Sequence, residues 1–325
     1  MVMGCGTTQP RCWSVWRRAL RSPRCTAENC SLSITVPVGL RWRLRHRSCS
    51  RPSWNIAAPM PEGHTLHRAA RLQGRRFAGH RLRVDSPQGR FEAGAALIDG
   101  RTLEGVEAVG KHLFHRWEGG LTVHVHLGLF GRFRTFTKEV PKPTDGTRMR
   151  WRGEPGTLHL SGPTACEVID ADDEERLLSR IGPDPLAVRP GDEERMRASF
   201  ARRRVSVAQL LLDQAVVSGI GNVYRAEFCF ILGLDPFTPA NEVSAEMIGD
   251  IWRLAIDQMK VGERIGRIVT VEPSEAGVER HRDVPARERL YVYKRDGHRC
   301  RRCRSTIRVG ELAGRKVWWC PTCQR

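Results

Sequence analysis

The sequence predicts an α+β, multidomain chain in which strands come first, helices second and a small cysteine-built module last. Three observations carry this. Leu121, Val123, Val125 and Leu127 alternate with Thr122, His124 and His126, the period of a half-buried strand. Beyond residue 170 the apolar spacing becomes helical. Near the end, Cys300-x2-Cys303 and Cys320-x2-Cys323 stand sixteen residues apart, which suits four thiolates around one tetrahedral, structural zinc ion.

The chain has 325 residues, enough for two or three domains, and a net charge of +18. Such an excess marks a polyanionic partner, nucleic acid or acidic lipid, and most of it is Arg, which forks onto phosphate. No apolar run reaches spanning length, which excludes a transmembrane helix. An intracellular location is expected, with cysteines as thiols or metal ligands. Residues 1–59 stand apart. They hold ten Arg against one acid, Glu28, with five Cys and four Trp, and no steady period. Three readings are open: a disordered basic arm, an Arg-rich targeting segment, or upstream sequence translated from too early a start, the last being preferred.

Met60-Pro61-Glu62-Gly63-His64-Thr65 reads like the beginning of a protein. With Met60 trimmed, Pro61 would present a secondary amine able to form an iminium, with the Glu62 carboxyl beside it to move protons. An α-amino group also titrates near neutrality. The same residues equally suit a helix opening, with Pro at the first position and an acid in the first turn. A helix is expected over 64–73, ended by Gly74. His64 and His67 on it read as a surface pair rather than a metal pair.

Residues 82–170 read as short strands with Gly/Pro turns, a sandwich or barrel. Asp99-Gly100 is a hairpin signal, and Glu118-Gly119-Gly120 separates 111–117 from 121–127. Asp170–Glu175 reads as an acidic first turn. Helices are expected at about 172–180, 191–204, 206–217, 222–232 and 244–260, with Gly182-Pro183-Asp184-Pro185 as a break. Ser218-Gly219-Ile220-Gly221 makes a tight turn before Asn222, which suits an N-cap. That turn is either a phosphate-binding helix start or a plain helical hairpin. Residues 263–289, poor in apolar side chains, read as a mobile loop. The four-cysteine module, too small for its own core, would fold on its metal.

Together these pieces resemble the formamidopyrimidine-DNA glycosylase / endonuclease VIII family of base-excision repair enzymes. The resemblance covers 60–325. It rests on Met60-Pro61-Glu62-Gly63, Val109-Gly110-Lys111-His112, the run His126 to Arg132, Ile181-Gly182-Pro183-Asp184-Pro185-Leu186, Gly219-Ile220-Gly221-Asn222-Val223-Tyr224, and the cysteines with Gly314-Arg315. It implies a catalytic β-sandwich domain over 60–170, a helix–two-turn–helix DNA-binding domain over 171–262 and a zinc finger over 290–325, with damaged double-stranded DNA between them. It implies a bifunctional glycosylase and AP lyase, a monomer in the cytoplasm, nucleoid-associated in a bacterium. It assigns Pro61 as nucleophile, Glu62 as proton donor, Lys111 to proton transfer and phosphate contact, and Arg315 to phosphate and the second elimination. Asn222, Gly219 and Gly221 fall at the DNA phosphate, and Leu129 and Phe130 where side chains fill the hole left by a flipped base. Members often carry a second acid three residues after Glu62; here Thr65 stands there. Pro61-Glu62-Gly63 and Leu129-Phe130 look more like the endonuclease VIII branch, which implies oxidised pyrimidines as substrates. With residues 1–59 attached, Pro61 has no amine, and the expectation becomes a non-catalytic DNA-binding protein of the same fold. A zinc-ribbon adaptor unrelated to repair is the third possibility.

Overall fold

The computed structural model describes residues 61–325. The expectations placed on residues 1–59 and on Met60 lie outside the described residues.

The first half combines two helices with eight strands: α1 (Gly63–Phe77), β1 (Arg81–Asp85), α2 (Glu92–Ile98), β2 (Arg101–Val109), β3 (His112–Trp117), β4 (Leu121–His126), β5 (Arg132–Phe136), β6 (Thr147–Gly153), β7 (Gly156–Ser161) and β8 (Ala165–Ile169). The strands run β5-β7-β6-β1-β2-β3-β4-β8, all antiparallel pairs. Strand β1 pairs with β2 through Arg81 and Leu82 and with β6 through Arg83 to Asp85, so it turns the sheet back on itself as a β-sandwich. Trp151 of β6 meets Trp117 and His115 of β3 edge-on across the core, at centroid distances of 5.4 and 4.6 Å. The alternating apolar residues Val123, Val125 and Leu127 are buried in that core with Leu66 and Phe77 of α1.

The turn at Gly119-Gly120 joins β3 to β4 with φ of 85° and 73°, which side chains rarely adopt. The hairpin expected at Asp99-Gly100 is not one. Residues 92–98 form α2, and Asp99 instead accepts from Val84 N–H at 2.8 Å, tying α2 to β1. Gly74 does not end α1, which continues to Phe77 because Phe77 is fully buried in the sandwich.

Helices follow: α3 (Ala171–Leu178), α4 (Asp192–Ala201), α5 (Val207–Leu210), α6 (Asn222–Ile231) and α7 (Ala245–Ile265). Asp170 caps α3 by accepting from Asp173 N–H at 2.7 Å, the acidic first turn expected there. The helix expected over 206–217 is one short turn of helix, α5. Asp213 Oδ1 accepts from Ala215 N–H at 3.0 Å and its carbonyl from Val216 N–H at 2.9 Å, so the chain reverses in tight turns. The stretch expected as a mobile loop begins inside α7. It then forms three 3-10 turns and buries Val269, Thr270, Val271 and Val284.

Strands β9 (Arg308–Leu312) and β10 (Arg315–Trp319) make the C-terminal hairpin. Trp318, Ile307, Cys300 and Cys320 join the core of α6 and α7, so the hairpin has no separate core. Glu227 of α6 fastens it. Its buried carboxylate accepts from the N–H groups of Tyr291, Val292 and Tyr293 at 2.7–2.9 Å and from Thr270 Oγ1. No described helix is long and apolar enough to cross a membrane.

Candidate active site

Glu62 lies just before α1 and is 1% exposed. Its carboxylate accepts from the N–H groups of Gly221 (2.9 Å), Val223 (2.8 Å) and Tyr224 (3.4 Å). These are orphan donors of α6, so Glu62 caps a helix 160 residues away along the chain. The cap expected from Asn222 is thereby taken over by Glu62. Burial pushes the Glu62 carboxyl above its ordinary range, while Lys111 and the three N–H groups pull it back.

Lys111 sits in the β2–β3 turn and donates from Nζ to the Ile220 carbonyl at 2.6 Å. Burial pushes its ammonium down to about 8, opposed by Glu62 and reinforced by Arg315. The turn is held by Asp184. Its Oδ2 accepts from Gly110 N–H at 2.7 Å and lies 2.8 Å from His67 Nε2, and its Oδ1 accepts from Leu186 N–H. Burial raises the Asp184 carboxyl, but His67 and those N–H groups outweigh it and hold it below its usual value. His67 is thus an intramolecular partner of Asp184.

One cavity of about 320 Å³ gathers Pro61, Glu62, Lys111, Leu129, Gly221, Asn222 and Arg315, although they come from both halves of the chain and from the hairpin. Asn222 Oδ1 accepts from the buried Arg225, whose Nη2 also donates to the Lys316 carbonyl at 2.7 Å, joining α6 to strand β10, which Arg315 opens. Leu129 and Phe130 are 52% and 82% exposed, a protruding apolar pair. Phe130 stands clear of the cavity wall. Gly219 is also not brought to it: its carbonyl accepts from Gly63 N–H at 2.8 Å, and a Cβ there would meet Met259 and Gly63. Gly219 and Gly221 therefore seat α1 and Glu62, and the Gly221, Val223 and Tyr224 N–H groups are spent on the carboxylate rather than open to a phosphate.

The sequence reading missed His126 and Gln214 on the cavity wall. His126 Nδ1 accepts from Gly128 N–H at 3.1 Å, so neutral His126 carries its proton on Nε2. Its place on the polar face of the strand was the available signal. Gln214 has none; it matters because it binds Gly219 N–H and the Ile220 carbonyl.

A Cβ on Gly221 would lie 2.5–2.7 Å from the Glu62 side chain, which three N–H groups hold in place. Gly221→Ala is therefore expected to lower turnover about a hundredfold by displacing that carboxylate. Turnover within twofold of the parent would contradict this.

The Sγ atoms of Cys300, Cys303, Cys320 and Cys323 all lie within 4.8 Å of one another, with Cys300–Cys323 at 3.8 Å and Cys303–Cys320 at 3.3 Å. Zn–S bonds of about 2.3 Å place tetrahedral sulfurs about 3.8 Å apart, so the donor set fits one such ion. It is the only such cluster among the described residues.

One cavity thus brings together a proline, a buried glutamate, a lysine and an arginine, in a chain that also carries a four-cysteine cluster. The formamidopyrimidine-DNA glycosylase N-terminal domain matches residues 60–163, and the formamidopyrimidine-DNA glycosylase H2TH domain residues 181–272. The chain belongs to the formamidopyrimidine-DNA glycosylase / endonuclease 8 family, whose members are DNA glycosylases with AP-lyase activity. It is 43% identical to Endonuclease 8 1 of Mycobacterium bovis over 270 residues, 82% of this chain and 100% of that one. It is 32% identical to the probable endonuclease 8 2 of Streptomyces coelicolor, over 82% of this chain and 94% of the relative. Among solved structures, the Lactococcus lactis Fpg in complex with DNA containing an abasic site superposes with a TM-score of 0.69. That likeness covers 81% of this chain and 99% of that one, at 22% identity.

Proposed function

We propose that this protein excises oxidised pyrimidines from damaged double-stranded DNA and cuts the strand at the resulting abasic site. The observation that carries the reading is the single cavity in which Pro61, Glu62, Lys111 and Arg315 meet. In a form beginning at Pro61, the lone pair of the proline nitrogen attacks C1′ of a flipped-out nucleotide. The glycosidic bond breaks, and the base leaves with the electron pair of that bond and a proton from Glu62. Opening of the C1′–O4′ bond then gives the iminium, O4′ taking up the amine proton. The iminium acidifies C2′; loss of that proton expels the 3′ phosphate. Lys111 and Asn222 hold the lesion phosphate, with His126 Nε2–H beside them. Arg315 holds phosphate and assists a second elimination. Leu129 and Phe130 enter the stack in place of the flipped base. The four cysteines would hold one zinc ion, which would supply the folding energy of the finger. The enzyme acts as a monomer on DNA of the cytoplasm.

The domains follow the same division: a catalytic sandwich over 60–170, DNA-binding helices over 171–262 and the finger over 290–325. The endonuclease 8 names of the relatives support the pyrimidine branch. Thymine glycol should be released faster than 8-oxoguanine in a side-by-side assay, and the reverse order would overturn the assignment.

Borohydride reduces the iminium to a permanent crosslink, so it reads the amine chemistry directly. Protein begun at Met60 and trimmed to Pro61 should trap on abasic-site DNA; protein retaining residues 1–59 should not. Binding without trapping by both forms would leave a non-catalytic DNA-binding protein.

With Lys111 pushed down to about 8, its charge is lost as pH rises through that value. Because the free enzyme governs kcat/KM, that constant should fall about tenfold per unit above about pH 8. Lys111→Arg, which keeps its charge, should remove this limb; an unchanged limb would assign it elsewhere.

A further inference from the structure

Beside the cavity, the outer face of the sandwich carries a chain of side chains that the chemistry above does not use. His112 opens β3 directly after Lys111. Its Nδ1 lies 2.9 Å from His124 Nε2 on β4, and His124 Nδ1 lies 3.1 Å from Glu167 Oε1 on β8. The antiparallel register sets this, pairing His112 with His126 and His124 with Glu167. The His112 and His124 rings lie end to end, with centroids 5.2 Å apart and planes 20° from parallel, and His112 lies 5.0 Å from His126 on the cavity wall.

The hydrogen bonds allow two proton arrangements. In the neutral one, His124 donates from Nδ1 to Glu167 and accepts at Nε2 from His112 Nδ1–H. The outer Nε2 of His112 is then a lone pair, the wrong polarity for phosphate. One proton on His124 makes it donate at both nitrogens, to Glu167 and to His112 Nδ1. The bond between the histidines reverses, and His112 carries its hydrogen on Nε2. Glu167 is the only acid joined to the chain. Lys111 and His126 face it from the cavity side. At the far end Arg116 lies over Phe114, but Glu107 and Glu174 pair with it. Burial, His124, His126 and Lys111 together push His112 down to about 3, so it is neutral in the free protein, and burial, His124 and Lys111 lower His126.

Resting on the DNA-binding reading above, we propose that the His112–His124–Glu167 chain is a positioning device that takes up a proton when a DNA phosphate docks beside Lys111. The proton converts His112 from acceptor to phosphate-side donor. Proton affinity is then higher in the complex than in the free protein, so binding tightens as pH falls through the value in the complex.

The test is calorimetry of the full, zinc-loaded chain binding a duplex with a tetrahydrofuran abasic analogue, in two buffers of different ionisation enthalpy. This readout needs no proline amine. At about pH 6.5 roughly half a proton or more should be taken up beyond that of Glu167→Gln, and Kd should fall about fivefold between about pH 7.5 and 6.0 relative to that variant. Glu167 is 58% exposed, so this variant keeps its fold. His112→Asn should behave likewise, and any proton taken up by Lys111 remains in all three proteins. Equal proton numbers in parent and Glu167→Gln, with binding intact, would overturn the proposal alone. Absence of binding at every pH would overturn the DNA reading with it.

Discussion

Glu62→Gln is expected to slow base excision by about a thousandfold. General acid–base catalysis contributes 10²–10⁴ in rate, and in the proposed chemistry Glu62 supplies the leaving base with its proton. Its burial favours the protonated form needed for that step. The amide keeps the size but cannot donate an acidic proton. It also turns one oxygen into an NH2 group facing the N–H groups of Gly221 and Tyr224 or of Val223. The loss of part of the α6 cap should cost about 1 kcal/mol of stability, small beside the kinetic effect. Single-turnover release of thymine glycol and thermal unfolding would be measured together. Excision within tenfold of the parent would remove Glu62 from the chemistry; a large loss of stability would show that its main service is to the fold.

Cys320→Ser should have the second largest effect. A structural four-thiolate zinc site contributes on the order of 10–16 kcal/mol to a module that cannot fold alone. The finger hairpin has no core of its own, and Cys300 and Cys320 are fully buried where it meets α6. Losing one ligand should empty the site and release β9 and β10. Arg315 then leaves the cavity, and the Lys316 carbonyl leaves Arg225. Zinc content should fall to the background, and affinity for a tetrahydrofuran duplex should drop a hundredfold or more, because phosphate contacts dominate such binding. Unchanged metal content and affinity would contradict both the zinc assignment and the place of the finger in DNA binding. Dialysis against a chelator should reproduce the loss in the parent.

Much of this protein was legible in its amino-acid order. The alternation from Leu121 to Leu127 places three residues in the core because a strand has period two, whatever surrounds it. Each CxxC motif presents two thiols together from one turn, so the sequence spacing pointed to the four-cysteine cluster that could hold a metal ion. Pro61 and Glu62 could be singled out from their own chemistry, and Lys111, Asn222 and Arg315 through the family resemblance, since each motif that carries it is local.

What only the tertiary structure decided is what these residues touch. Nothing near Glu62 says that its carboxylate caps α6, because those donors lie some 160 residues further along. For the same reason Gly219 and Gly221 looked open to phosphate, whereas close packing commits them to Gly63 and Glu62. Asp184 and His67 read as a loop acid and a surface histidine, yet together they hold the turn that carries Lys111. The helix expected through 206–217 failed because Asp213 side-chain bonding competes with helix continuation, and apolar periodicity does not register that. Local patterns depend on neighbours in sequence; a buried polar group must find its partner anywhere in the fold, and only the folded chain says where.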